Sequence, residues 1–297
     1  MSAPDRTLCV GIDLDDLRYY RGIHALPPRD EGPLVFTAAV PRFLEVCRRA
    51  GVPATLFVIG EDCRWPEAGE ALRAAVAAGH EVASHSLTHP YDLSRRSRDA
   101  IESELAGARE AIEAAAGAPV AGFRAPGYNL TPALLAAINR TGHRYDSSIL
   151  PSPGYWAARA AVIATMHVRG RRSTSIVGRA RDFMRGRAPF TWGGEAAGLR
   201  EVPMTACGPL RAPLIGTFLA GGRLARHLVA CAARLPLVNV EFHAIDFLGD
   251  QADDVEPGLR VEPVLRVPLA ERLAAFESAL TVLAEGRRVA TLAQLCY

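Results

Sequence analysis

Along the chain, short apolar runs that end in polar residues alternate with longer stretches of helical period. "TLCVGID" is a run of the first kind, a buried strand whose carboxyl end opens on acids. A loop rich in Pro and Gly is expected from Arg21 to Pro33, then a helix over "TAAVPRFLEVCRRAG" that stops at Gly51. "ATLFVIG" predicts a second strand, "PEAGEALRAAVAAGH" a helix closing at Gly79, and "EVASH" a third strand leading into "HSLTHP". Ser94 is placed to cap a helix from Arg95 to about Ala116. "PVAGFRAPGYN" reads as a strand with its exit loop, Thr131-Pro132 opens a helix ending near Gly142, and "HRYDSSIL" is a short strand. Further on, "LREVPMTA" and "PLVNVEFHAIDF" read as strands around the helical "GGRLARHLVACAARL". A helix from Pro268 to Glu285 and the short strand "RVATLAQL" finish the pattern.

Alternation in units of roughly 20 to 30 residues implies an α/β fold, parallel strands covered by helices, as an open sheet or a barrel. Polar residues collect at the strand exits: Asp13 and Asp15, His85, Arg124, Asp146, His243. In a closed barrel these exits share one face. With no internal repeat, low-complexity tract or clean linker, one domain over 1–297 is expected, with an insertion from about 151 to 198.

Composition changes this picture little. The chain has 297 residues, 49% hydrophobic and 22% charged, with a net charge of +2 that does not point to nucleic acid. The distribution is less even: from Arg159 to Arg187 there are eight arginines, no lysine, and Asp182 as the only acid. Six cysteines without CxxC spacing imply free thiols, not a disulfide framework. "MSAPDRTLCVGID" has no signal-peptide core and no run approaches a membrane span, so a cytoplasmic location is expected.

The chemistry begins at "HSLTH". His85 and His89, four apart, fall on one side of a helical turn or tight loop, and two imidazoles with a carboxylate suit zinc or another divalent first-row metal. Ser86 stands where a zincin needs its general-base Glu, so carboxylate and base must come from elsewhere. "GIDLDD" supplies them, because Asp13 and Asp15 alternate to one side of a strand end, where a cation relieves their repulsion. "FRAPGY" adds Arg124, able to pair with a carboxylate, beside a turn that exposes backbone N–H groups. "NVEFHAIDF" places His243 after apolar residues. Each feature alone has a bland reading as a surface turn, capping group or satisfied core histidine; together they make a site.

In chain order, "IDLDD", "HSLTH", "RAPGY", "YDSS" and "VEFHA" resemble the five motifs of the polysaccharide deacetylase (NodB-homology, chitin-deacetylase-like) family, in the DxD form of an intracellular branch, from about Thr7 to Asp246. The resemblance implies a distorted (β/α)7 barrel and metal-assisted N- or O-deacylation. It implies Asp13 as base, Asp15, His85 and His89 around one divalent metal, and Arg124 orienting the base. Zn2+ is the first choice of metal, with Co2+, Ni2+, Mn2+ or Fe2+ as alternatives. It also implies that Asp146 supports His243. Three departures stand out. Leu17 replaces the Gly of the common TFDDG motif, which leaves Asp15 as base with Asp16 as ligand as a second register. The tryptophan expected after the fourth motif is displaced, with Tyr155 and Trp156 nearby. Gly127 stands where tyrosine often follows the proline, so the oxyanion donor is the N–H of Gly127 or of Tyr128.

On this reading the substrate is an acylated amino sugar, acetyl or formyl, either lipid-linked or a small glycoside or nucleotide sugar. Asp13 removes a proton from water, and His243, kept protonated by Asp146, delivers one to the leaving amine. The rivals are a two-His-one-carboxylate iron oxygenase and a carbohydrate-binding protein with a decayed site. The aromatic and arginine residues of 155–187 (Tyr155, Trp156, Ile163, Met166, Ile176, Phe183, Met184 among the apolar ones) suit peripheral contact with an anionic membrane or, equally, a basic face packed on the barrel.

Overall fold

The first apolar run becomes the strand around which the sheet is organised. In a computed structural model, which describes residues 6–249 and 252–297, β1 (Thr7–Asp13) is buried over its whole length. The chain then adds β2 (Thr55–Val58), β3 (Glu81–Ser84), β4 (Gly122–Phe123), β5 (Tyr145–Asp146), β6 (Phe190–Thr191) and β7 (Arg200–Glu201). After these come β8 (Ala206–Cys207), β9 (Ala212–Pro213), β10 (Leu237–His243) and β11 (Arg288–Val289).

One edge of β1 pairs with β10 from Thr7–Leu237 to Asp13–His243. The other edge takes β11 at its start and β2 at its end. Parallel pairing continues through β3, β4, β5 and β7, so the staves run β10-β1-β2-β3-β4-β5-β7, with β6 antiparallel on β7 and β8–β9 as a separate hairpin. Past β7 the curl returns: Thr205 N–H donates to the Asn239 carbonyl at 3.0 Å, Asn239 N–H to Thr205 Oγ1 at 2.8 Å, and Ile215 bridges to Glu241. The result is a curled, helix-covered half-barrel, the distorted (β/α)7 architecture expected.

Alternation along β1 divides the molecule. Val10 and Ile12 face outwards into the core shared with Phe242 of the neighbouring β10 and with Phe43 and Leu280 of the covering helices. Cys9 faces inwards, where Phe57, Ala83, Tyr145 and Val202 plug the barrel floor, and Asp13 follows on the same face at the rim. The helices form where caps and breakers allow. Val40–Ala50 ends on Gly51 at φ 68°, and Pro132–Arg140 starts with Pro132 behind Thr131, whose Oγ1 accepts from Leu134 N.

Four local expectations differ. A short helix, Leu17–Ile23, occupies part of the predicted 21–33 loop, capped by Asp16 and held by buried Leu17, Tyr20 and Arg21. Ser97, not Ser94, caps the long helix Arg98–Ala116, because its Oγ reaches Ala100 N while Ser94 lies in the preceding turn. "RVATLAQL" is strand only at β11 and then turns into helix Leu292–Cys296 behind a Thr291–Gln294 capping box. The basic insertion is helical at Pro153–Val168 and Ala180–Phe183, and β6 extends the sheet. The six cysteines are free thiols, as expected.

Candidate metal and deacylation site

Asp13 and Asp15 leave β1 on the same side, and the side chains that meet them come from the next staves. The turn after β3 carries both histidines. Ser86 and His89 adopt positive φ, 69° and 53°, and the conformation is held by helix Arg98–Ala116: Glu104 accepts from Leu87 N–H, Thr88 N–H and Thr88 Oγ1. His85 Nδ1 lies 2.7 Å from the Arg124 carbonyl, which fixes the ring with Nε2 towards the acids. Nε2 of His85 and of His89 are each 3.3 Å from Asp15 Oδ1.

These atoms fit a cation. Asp15 Oδ1 and both ring nitrogens of His89 are buried without a hydrogen-bond partner among the described residues, a costly arrangement unless something else satisfies them. One ligand atom from each of Asp15, His85 and His89 lies within 4.8 Å of the others. The set of one carboxylate and two imidazoles is that of a borderline divalent metal. Burial opposes ionisation of Asp15, but the imidazoles of His89 and His85 hold its carboxyl well below the usual range. Burial pushes His89 below the ordinary imidazole value, which favours the neutral, ligating form. Asp16 is elsewhere: its Oδ1 accepts from Arg18 N at 2.8 Å as a helix cap, so the geometry matches the Asp13/Asp15 register.

Arg124, fully buried at the exit of β4, donates from Nη1 to Asp13 Oδ1 at 2.6 Å and from Nε to the Ser147 carbonyl at 2.8 Å. Its guanidinium lies over the Phe57 ring at 3.9 Å. Gly11, two residues before Asp13 on the same face, leaves the necessary room, since a Cβ there would lie 3.3 Å from Arg124 Nη2. Asp13 Oδ2 faces His85 Nε2 at 3.7 Å.

Beside Asp13, its register partner on β1, His243 ends β10. Its backbone N–H donates to Asp246 Oδ2 at 2.8 Å, and its Nε2 lies 2.9 Å from the Tyr128 hydroxyl. Burial alone would depress His243, but Glu241, Asp13, Asp15 and Asp246 together push it up to about 9.

Asp146 does not reach His243. Its Oδ1 accepts from Ser148 Oγ at 2.6 Å, and it faces its register partner Glu201 across β5 and β7. Burial pushes the Asp146 carboxyl up to about 6 and Glu201 well above the usual range, with Asp146 adding to the rise of Glu201. The support expected of Asp146 therefore cannot be direct. Motif order places this residue in the site; the two-residue strand turns it towards β7.

Gly127 and Tyr128 flank the site. The Tyr128 N–H is used by the Ala125 carbonyl at 2.8 Å, which leaves Gly127 as the backbone donor of the pair. Gly127 has φ 61°, and a Cβ there would lie 2.7 Å from Arg159 Nη2 and 2.9 Å from Tyr91 Cδ1, so glycine is required where the family often has tyrosine.

The residues that sequence reasoning missed are Glu241 and the Tyr128 hydroxyl, 2.6 Å apart. Glu241 precedes His243 by two and so shares its face, the same alternation that pairs Asp13 with Asp15. Tyr19 and Tyr91 flank His89, with ring centroids at 4.3 and 4.8 Å. They line a cleft of about 400 Å3 with Arg18, Asp92 and Thr174.

The insertion packs on this face. Trp156 is buried, stacks on Phe183 at 4.3 Å, and lies 6.4 Å from the Tyr128 ring. Arg159 Nη1 donates to the Gly127 carbonyl at 3.2 Å, and Arg171 to the His24 carbonyl. The segment thus touches both sides of the site.

The polysaccharide deacetylase family model matches residues 29–145. A chitooligosaccharide deacetylase of Sinorhizobium fredii is 43% identical over 99 residues, 33% of this chain and 43% of that protein. One of Rhizobium leguminosarum bv. phaseoli is 35% identical over 132 residues, 42% of this chain and 56% of its own length, so the match spans only about half of such relatives. Among solved structures, a protein described as a polysaccharide deacetylase from Mycobacterium smegmatis superposes with a TM-score of 0.61 at 20% identity, covering 100% of this chain and 91% of that one. A CE4 family pseudoenzyme from Bacillus anthracis gives 0.52 at 17% identity, covering 99% of this chain and 67% of that one. Residues 29–145 thus match the polysaccharide deacetylase family model, on a fold that the chain shares with solved structures of that description.

Proposed function

We propose that this chain is a metal-dependent deacylase that removes a small acyl group from an amino sugar. The observation that carries the reading is the buried, unpartnered trio of Asp15 and His89 atoms beside His85, near an arginine-bound carboxylate and a histidine surrounded by carboxyl groups. A divalent metal held by Asp15, His85 and His89, zinc by its donor set, would polarise the acyl carbonyl and make water easier to deprotonate. Asp13, oriented by Arg124, accepts the water proton through Oδ2. The Gly127 N–H supplies a donor for the oxyanion. His243 gives its proton to the leaving amine, which departs poorly as an anion.

The relatives named above are chitooligosaccharide deacetylases, so N-acetylated glucosamine oligomers are the first substrates to test, followed by formylated and lipid-linked amino sugars. Release of acetate or formate, abolished by a chelator and restored by Zn2+, is expected. No release from any N-acyl sugar would overturn the activity, and release indifferent to chelator would overturn the metal's part. The decayed-site reading is disfavoured because Asp13, Asp15, His85, His89, Arg124 and His243 are all present and assembled. The iron-oxygenase reading is disfavoured because the site sits on a parallel, helix-covered sheet.

Peripheral membrane contact on the cytoplasmic side belongs to the same reading in a reduced form. Trp156 and Met166 are buried and Phe183 packs on Trp156, so they are not free to insert into lipid. The exposed set is Val162, Val168 and Met184 with Arg169, Arg172 and Arg179, which suits an anionic surface. Among the described residues no helix is long and apolar enough to cross a membrane.

A further inference from the structure

Within that reading, we infer that Glu241 is the positioning residue for the proposed acid His243, acting through the hydroxyl of Tyr128, in the role the family pattern implies for Asp146. Glu241 is fully buried on β10, one alternation before His243. Its Oε1 lies 2.6 Å from Tyr128 Oη, and the same hydroxyl lies 2.9 Å from His243 Nε2. The direct separation of Glu241 Oε1 from His243 Nε2 is 3.9 Å, so the hydroxyl is the connecting atom.

A phenol has one proton to donate. Given to Glu241, it leaves the Tyr128 oxygen as an acceptor towards His243, and Nε2 must then carry the N–H. The carboxylate thus fixes which ring nitrogen is protonated, and once ionised (burial pushes Glu241 up to about 7) its charge 3.9 Å away favours the imidazolium. Asp146 can do neither, being turned to Ser148 and Glu201.

Asp13, Glu241 and His243 also lie close enough together to form a second metal cluster. Arg124 Nη1 already sits 2.6 Å from Asp13 and 3.7 Å from Glu241, a fixed cation that offsets both carboxylates. The Tyr128 hydroxyl already contacts both Glu241 and His243. One bound metal per chain is therefore expected.

His243 is faced by several charges: Glu241 on its own strand, Asp13 and Asp15 from β1 and its exit, Asp246 from the following turn, and Arg124 beside Asp13. The test must isolate Glu241 from these. The imidazole of His243 is titrated by NMR in the wild type and in Glu241→Gln, Tyr128→Phe, Asp246→Asn and Asp146→Asn, alongside the alkaline limb of kcat against pH. Glu241→Gln keeps an acceptor for Tyr128 but removes the charge. It is expected to lower the His243 midpoint and the alkaline limb together by about one pH unit or more, a tenfold loss of imidazolium above the new midpoint. Tyr128→Phe should leave the charge but release the Nε2 tautomer, visible in the ring nitrogen shifts. Asp146→Asn should move neither reading. An unmoved His243 in Glu241→Gln, a shift of equal size in Asp146→Asn, or two metals per chain would overturn the inference. Because the NMR titration needs no turnover, an inactive protein with the expected shifts would count against the proposed activity alone.

Discussion

Arg124 Nη1 meets Asp13 Oδ1 at 2.6 Å where neither side chain touches solvent, at 0% and 1% side-chain exposure. The pair ties the exit of β4 to the exit of β1 and points the second oxygen of Asp13 at the histidines. A buried ion pair adds little over an apolar match, but breaking one strands a charge. Arg124→Met is thus expected to destabilise the fold by about 3–5 kcal/mol by chemical denaturation, because Asp13 is left uncompensated. Asp13→Asn should retain the fold better, since Glu241 lies 3.7 Å from the guanidinium, and should reduce turnover by roughly 10²- to 10⁴-fold while metal content stays the same. Loss of metal from Asp13→Asn would contradict its separation from the ligands.

His89 tests the metal site with one precaution. At φ 53° alanine would add backbone strain, so His89→Asn, which tolerates that region, is the cleaner variant. Metal bound per chain should fall by at least about tenfold with the fold unchanged by circular dichroism. Undiminished metal content would sink the assignment of Asp15, His85 and His89.

The buried pair Asp146 and Glu201 makes stability depend on pH. Both carboxyls titrate above their unfolded values, Asp146 at about 6 and Glu201 well above the usual range, so the stability they contribute is complete below about pH 4; the Asp146 part is lost as pH rises through about 6 and the Glu201 part at higher pH. Asp146→Asn puts an amide donor where Asp146 Oδ2 has no partner, facing Glu201, and should flatten that decline while leaving turnover in place. A melting temperature that still falls from pH 5 to 8 as in the wild type would contradict this account.

His243 titrates upward for a different reason, its neighbouring carboxylates. Its contribution is full below about pH 6.5 and is lost as pH rises through about 9. Turnover should fall along the same limb, and His243→Gln should abolish the limb together with most of the activity.

The insertion makes a prediction that separates lipid from protein packing. Arg169→Gln/Arg172→Gln/Arg179→Gln should reduce partition onto vesicles containing anionic lipid, and added salt should mimic the change. Arg171 is left intact because it holds the His24 carbonyl. Equal partition onto neutral and anionic vesicles, or none onto either, would assign the segment to covering the site alone.

Much of the site was legible because two rules suffice for it. Strand alternation brings Asp13 and Asp15 together, and a four-residue spacing brings His85 and His89 together, whatever the surroundings. The same alternation pairs Glu241 with His243, but a glutamate inside "VNVEFH" passes as an accident in an apolar run unless the barrel interior is known to be polar. Asp146 failed for the opposite reason. Its motif was readable, yet a two-residue strand does not reveal which neighbour its side chain faces. The interleaved aromatics of the insertion were ambiguous by nature, since Trp156 presents the same pattern whether lipid or Phe183 covers it. The helix at Leu17–Ile23 was hidden by the glycine and prolines that follow it, and only tertiary burial of Tyr20 and Arg21 holds it.

The pairing of β1 has a consequence for how the molecule is made. The strand that carries Asp13 emerges early, but its partners β10 and β11 come from the far end of the chain. Closing so long a loop is slow, since the entropy is lost before the contacts form. Asp15, His85, His89 and Arg124 belong to β1 through β4 and can meet as soon as those staves fold. Glu241 and His243 arrive only with β10. Assembly during translation therefore has a built-in order: the residues proposed to bind the cation are made first, and the residue proposed to deliver the proton joins them only once β10 pairs with β1.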